Sequence, residues 1–242
     1  MCLAVVAWGV AARYRLLLAA NRDERHDRPS APAAWWQDLP EVLGGRDLAA
    51  GGSWLAIDRR GRLAAVTNFR DPVPRPARLS RGGLVADFVG GSASLDQFEA
   101  ATARHELDYG PFNLLLFDGR EVRYLSNRGP AADLGAGVHA LSNAALGADW
   151  PKMRTARTGV EALLANPSPS EALFELLARR SAAPAEERYK SAHFIDGPVY
   201  GTRCSTVITI DAAGEVTFAE RSFDSAGRLT AEVRETFRIR GG

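Results

Sequence analysis

Residue 2 of the chain is a cysteine, and a second polar cluster, Asn21-Arg22-Asp23-Glu24, follows an apolar run one short strand-pair later. A cysteine directly after the initiator methionine carries a specific chemical option. Its side chain is small, so processing is expected to remove Met1 and leave a thiol and a free α-amine on one residue. Such an amine titrates near about 7.7–8.0, and a thiol is already a few per cent ionised at neutral pH, so the amine can serve as base for its own side chain. A carboxylate such as Asp23 orients the pair by hydrogen bonding, and an arginine such as Arg22 favours the thiolate. The resulting chemistry is acyl transfer, with Cys2 as nucleophile. It requires that the fold bring residues 2 and 21–24 together.

The flanking elements predict that it does. "CLAVVAW" and "YRLLLAA" are apolar runs of strand length around "GVAAR" and read as a hairpin. With the turn centred near Ala11, Cys2 lies opposite Ala20 and the polar run begins just beyond, within side-chain reach of the amino terminus. Three more hairpins follow: "SWLAID" with "RLAAVTNF", "FNLLLFDGREVRYLSN" around Asp118-Gly119, and "STVITID" with "VTFAERSF". "GVHALSN" and "AEVRETFRI" read as single strands. Helices are predicted at "GGLVADFVG", at "SLDQFEAATARHEL" with Ser94 as N-cap and Gln97 three residues on, and at the pair "WPKMRTARTGVEALLAN" and "SPSEALFELLARR", where Pro151 and Pro169 suit a first turn. "RDPVPRPARLSRGG", with three prolines, is expected to be an irregular surface loop. Hairpins imply antiparallel pairing, yet "LAVVA", "LLLAA" and "NLLLF" are apolar at consecutive positions, as in strands buried on both faces. Both constraints are met by an α+β fold in four layers, an α-β-β-α sandwich of two antiparallel sheets, with residues 1–242 as one domain.

Composition narrows the function classes. Net charge is +1 over 242 residues, which argues against a nucleic-acid partner. Of 30 basic residues only Lys152 and Lys190 are lysine. The two cysteines, Cys2 and Cys204, form no metal-ligand spacing, so no metal site is predicted, and nothing in the spacing supports a disulfide. No basic-start signal peptide and no apolar run of about 20 residues is present, which predicts a cytoplasmic protein without a membrane span. "GGRDLAAGGSW" is Gly-rich but lacks the Lys-Ser/Thr of a phosphate loop. It reads either as a simple connection or as a loop at the mouth of the site, with Arg46 polar there, Gly51 and Gly52 permitting close backbone approach and Trp54 forming an apolar wall.

In order along the chain, "MCLAVVAW", "AANRDER", "LGGRDLAAGGSWLAID", "GRLAAVTNFRDP", "LSRG", "FNLLLFD", "LSN", "WPK" and "YGTRCSTVITID" resemble the NRDE-motif family, the group named for transport and Golgi organisation. That family is similar to the N-terminal-nucleophile hydrolases of the choloylglycine hydrolase and penicillin V acylase type, which implies the same four-layer sandwich. The resemblance implies Cys2 as nucleophile and Asp23 as the carboxylate that holds amine and thiol. Asn68 and Asn143 are implied as oxyanion donors, each typically worth about 3–4 kcal/mol, and Arg203 as a late basic residue. The arginine that those amidases carry three residues before the aspartate falls at Ala20, leaving Arg22 as its replacement from a different position. Asn21, Glu24 and His26 are expected to line the ligand site. The expected activity is hydrolysis of a non-peptide amide without a cofactor. The alternative implied by eukaryotic members is carriage of haem or an acyl-CoA-like lipid in the same pocket, with Cys2 and His26 as the residues to face haem.

Overall fold

The structure is a computed structural model that describes residues 2–71, 76–184 and 186–240. Met1, whose removal the proposed chemistry needs, and part of the proline-rich loop lie outside the described residues. In chain order the elements are β1 (Leu3–Trp8), β2 (Tyr14–Arg25), β3 (Ser30–Trp35), β4 (Val42–Asp47), β5 (Leu55–Asp58), β6 (Leu63–Asn68), α1 (Arg81–Gly90), α2 (Leu95–Arg104), β7 (Phe112–Phe117), β8 (Val122–Ser126), β9 (Ala132–Leu134), β10 (Gly137–Leu141), α3 (Pro151–Leu163), α4 (Ser170–Leu177), α5 (Arg188–Ser191), β11 (Tyr200–Asp211), β12 (Glu215–Phe223) and β13 (Leu229–Arg238).

Two compact units are present. The first comprises Met1–Asp27, Gly135–Ser142 and Leu146–Arg238. Its sheet runs β10-β1-β2-β11-β12-β13, antiparallel at every pairing. Alternate residues Leu3, Val5 and Ala7 of β1, with Leu17 and Ala19 of β2, pack on Met153, Ala156 and Val160 of α3 and on Leu173, Phe174 and Leu177 of α4. The α3 positions recur at helical spacing, which gives the helix one apolar stripe to lay on the sheet. The other face of these strands, with Leu16, Leu18, Ile208 and Phe218, is buried too. That double burial is why the strands read as unbroken apolar runs.

The second unit holds Arg28–Leu134, Asn143–Ala145 and Ile239–Gly242. Its antiparallel sheet runs β3 to β9 in sequence order. Helices α1 and α2 cover it through Leu84, Val85, Phe88 and Phe98. Ser94 and Gln97 form the reciprocal capping box that their spacing predicts. Gly119, at φ 100°, makes the tight turn between β7 and β8 that Asp118-Gly119 calls for. The α+β class and both antiparallel sheets are as expected.

Three expectations need correction. First, the polar segment after Ala20 is not a turn: β2 runs through it to Arg25. The β1–β2 register pairs Ala4 with Ala20 and Leu3 with Asn21, so Cys2 falls opposite Arg22, not Ala20. The turn centres one residue later than expected because the loop extends to Arg13 before pairing resumes. Second, β3 lies at residues 30–35, to which the sequence pattern assigned no element. Its Pro32 removes a ladder donor, which an edge strand tolerates. Third, the Gly-rich segment begins as strand β4 and loops only after Asp47.

Candidate active site

The ends of β1, β2 and β11 meet in the first unit. Arg22 pairs with Cys204 on β11, while Cys2, one residue beyond the last β1 pair, lies on its other side. Asp23 pairs with Thr202. Between Thr202 and Cys204 the register slips, leaving Arg203 as the extra residue of a bulge. Because strand side chains alternate, Arg22 and Asp23 serve opposite faces of the sheet.

On the Asp23 face, β2 is tied to the helical layer. Asn21 Nδ2 donates to the carbonyls of Leu177 (2.9 Å) and His193 (2.8 Å), and its Oδ1 accepts from Ser205 Oγ at 2.6 Å. Expected to bind ligand, Asn21 is instead saturated by the protein and acts as a cross-brace. Asp23, 3% exposed, accepts from Thr202 Oγ1 at 2.7 Å through Oδ1, and its main-chain carbonyl accepts from Tyr200 Oη at 2.7 Å. Burial pushes its carboxyl above the usual carboxylate range, opposed first by the positive amino terminus and then by Lys152, by the Thr202 hydrogen bond and by Arg22.

The same face holds a residue the sequence reading passed over. Lys152, in the first turn of α3, is 0% exposed. Its Nζ makes no hydrogen bond among the described residues and sits 5.7 Å from the Trp150 ring centre. Burial depresses its ammonium, while Asp23 and Cys2 favour the charge. The available signal was compositional: a lysine in a chain that otherwise writes almost every cation as arginine. One turn on, Thr155 Oγ1 lies 2.8 Å from His193 Nε2. His193 Nδ1 faces the Leu176 carbonyl at 2.7 Å, which can only accept, so the proton sits on Nδ1 and Nε2 accepts from Thr155. Burial holds this imidazole below its usual value, so it stays neutral.

On the Arg22 face, Cys204 and Glu220 are both buried. Thr206 Oγ1 donates to Glu220 Oε2 at 2.8 Å. Burial, then the Glu220 charge, pushes the Cys204 thiol well above its ordinary value, with Arg22 opposing. Cys204 is therefore a protonated thiol and not a second nucleophile. Two strand spacings, about 9–10 Å, separate it from Cys2, beyond the roughly 7 Å that a disulfide spans, and neither cysteine forms a disulfide. Cys2 itself is half-buried, and its carbonyl accepts from Ser142 Oγ at 2.7 Å.

The remaining predicted residues make the following contacts. Arg203 Nη1 donates to the carbonyls of Arg25 (2.9 Å) and His26 (3.1 Å), strapping down the end of β2. The half-buried Glu24 accepts from the Arg25 amide. His26 Nε2 donates to the Gly197 carbonyl at 2.9 Å. In the second unit, Asn143 Nδ2 donates to the Asn68 carbonyl, and the Asn143 carbonyl accepts from Arg70 N at 2.8 Å, so the two implied oxyanion residues do come together there. Arg46 pairs with Asp38 at 3.1 Å and stacks over Trp36 at 4.2 Å. Gly51 adopts φ 81°, a turn conformation. At Gly52 the close approach is real, but it is made by the Gly82 backbone, where an added Cβ would lie 2.2 Å from a carbonyl carbon. The Trp54 ring lies against Gly45 in the same way. Arg46, Gly51, Gly52 and Trp54 thus build the second unit itself.

Among solved structures, the chain is similar to a Caenorhabditis elegans N-acylethanolamine-hydrolyzing acid amidase, with a TM-score of 0.52 and 12% identity over 86% of this chain and 92% of that one. It is also similar to variants of a conjugated bile acid hydrolase from Clostridium perfringens, with TM-scores of 0.55 and 0.56 at 9% and 10% identity, covering 99% of this chain and 97% of those. These likenesses show the fold of the N-terminal-nucleophile hydrolases. In sequence, the chain is 39% identical to the Transport and Golgi organization protein 2 homolog of Bos taurus and 35% identical to that of Homo sapiens, in each case over 86% of this chain and 87% of the relative. The family model described as Transport and Golgi organisation 2 matches residues 1–225, and the chain belongs to that family.

Proposed function

We propose that the chain is a cysteine amidohydrolase that transfers the acyl group of a linear amide to Cys2 and then to water. The observation that carries this reading is the placement of Asp23, a buried carboxylate held by Thr202, on the strand whose preceding residue, Arg22, lies opposite the half-buried Cys2. Loss of Met1 exposes the Cys2 α-amine. The amine accepts the thiol proton as sulfur attacks the carbonyl carbon. Collapse of the tetrahedral adduct expels the amine leaving group with that proton and leaves a thioester, which water cleaves to the acid. Asp23 orients the amine, and Arg22 favours the thiolate. Asn68 and Asn143 are assigned to the oxyanion on the resemblance. The neighbours in fold support an acyl amphiphile as substrate, since one acts on N-acylethanolamines, acyl chains joined to a small amine by an amide.

The carrier reading draws less support. His26 spends Nε2 on Gly197, His193 spends both ring nitrogens, and His105 and His139 each have one nitrogen on Asp108 or Gly135. Only His193 is thereby closed to axial ligation of haem, because a single hydrogen bond on each of the other three leaves a ring nitrogen for a metal. Incubation with a long-chain N-acyl amide tests the main reading: amine release by the wild type and none by Cys2→Ala supports it, and no release by either contradicts it.

A further inference from the structure

Lys152 is buried without a hydrogen bond among the described residues, in a chain that writes almost all its other cations as arginine. Its position is fixed by contacts that do not involve its own charge. Lys152 and Thr155 are three apart on α3 and share a helix face. Thr155 contacts the His193 ring, and the His193 carbonyl accepts from Asn21 on β2. Asn21 and Asp23 are two apart on that strand and share a sheet face. The face of α3 that carries Lys152 is thus latched onto the face of β2 that carries Asp23. Arg22, the nearest cation in sequence, serves the opposite face.

We propose that Lys152 is a positioning residue, the counter-ion that keeps Asp23 a carboxylate beneath the amino-terminal end of β1. The inference deepens the hydrolase reading and rests on it for its catalytic meaning, because only an ionised Asp23 can anchor a protonated α-amine. Lysine suits the role: its ammonium is a compact charge, and its three donors are unspent among the described residues. The charged groups that act on this pair are the amino terminus, Cys2 just before β1 and, from the opposite face of β2, Arg22; His193, itself influenced by Arg179, lies beside Lys152. His193 is neutral for the reason given above, so it does not substitute for Lys152.

The test follows the Asp23 carboxyl directly. Full-length protein labelled with ¹³C at aspartate carboxyls is titrated by NMR, with the Asp23 signal identified by its loss in Asp23→Asn. In Lys152→Met the Asp23 midpoint is expected to move up by about one to three pH units relative to wild type. Lys152→Gln, with a polar side chain of similar length, is expected to move it the same way, and it replaces the Met variant should that one fail to fold. Superimposable wild-type and variant titrations overturn the proposal. The amide assay remains separate: an unchanged midpoint with an active enzyme sinks the Lys152 role alone, and a shifted midpoint without turnover sinks the hydrolase reading alone.

Discussion

Two Arg-Asp dipeptides close two strands of this protein, and they are put to different uses. Arg46-Asp47 ends β4, and there each charge is neutralised in partial contact with solvent: Arg46 by Asp38, Asp47 by Arg28 Nε and Nη2 at 2.9 and 2.7 Å and by the amides of Ala49 and Ala50. Arg22-Asp23 lies near the end of β2, where both residues are buried and face opposite sides of the sheet. Asp47 sits in a self-sufficient turn. Asp23 is a desolvated carboxylate whose partners, Thr202 and at longer range Lys152, leave it poised. The contrast teaches that the dipeptide carries no meaning by itself. Burial and the identity of the partner turn the same two residues into a loop clasp or into a buried pair that serves both faces of a sheet.

That comparison can be broken at several points. The largest effect is expected on the thiol. Asp23→Asn should slow acylation of Cys2 by about 100-fold or more, the range of a lost acid-base group, whereas Asp47→Asn should leave the rate within about twofold. Stopped-flow labelling with an activated acyl donor measures both. Next in size is Asn21→Ala, which strands the buried acceptors of Leu177 and His193 and the Ser205 hydroxyl. A loss of about 2–4 kcal/mol in urea unfolding is expected, against less than about 1 kcal/mol for Arg46→Ala, whose ion pair is open to water.

The smallest effects concern pH and have opposite signs. Asp23 is raised in the folded protein, so its contribution to stability is complete below its ordinary value near 3.8 and is lost as pH rises through the folded value. Wild type should therefore lose ground to Asp23→Asn as pH rises above about 4. His193 is depressed, so its contribution is present above about 6.5 and is lost as pH falls. His193→Gln should show a smaller drop in urea midpoint between pH 7 and 5 than wild type. Parallel curves for either variant and wild type would contradict the corresponding environment.

Much of this architecture was legible from pattern alone. The hairpins were, because Gly and Asp-Gly turns separate apolar runs, and the Ser94–Gln97 capping box was, because its spacing is local. The end of β2 was not. Five polar residues in a row look like a turn, and only the partners on β11 and the helical layer make it possible to bury them in a strand. The β1–β2 register differed for a separate reason, a loop that extends to Arg13 and moves the turn centre one residue later. Extending the β1–β2 register puts Cys2 opposite Arg22, one residue before Asp23. The cross-brace at Asn21 and the burial of Lys152 were invisible, because both arise from contacts of α3, α4 and residue 193 with a strand more than 120 residues earlier. A helix read from its own periodicity gives Lys152 to solvent.

The central claim is that Cys2 is a free amino-terminal nucleophile. Intact-mass measurement of the purified chain, before and after brief exposure to an acyl donor, tests it most directly. The account predicts a mass lacking Met1 and a single acyl adduct that Cys2→Ala abolishes. A mass that retains Met1, with no adduct at Cys2, would contradict it.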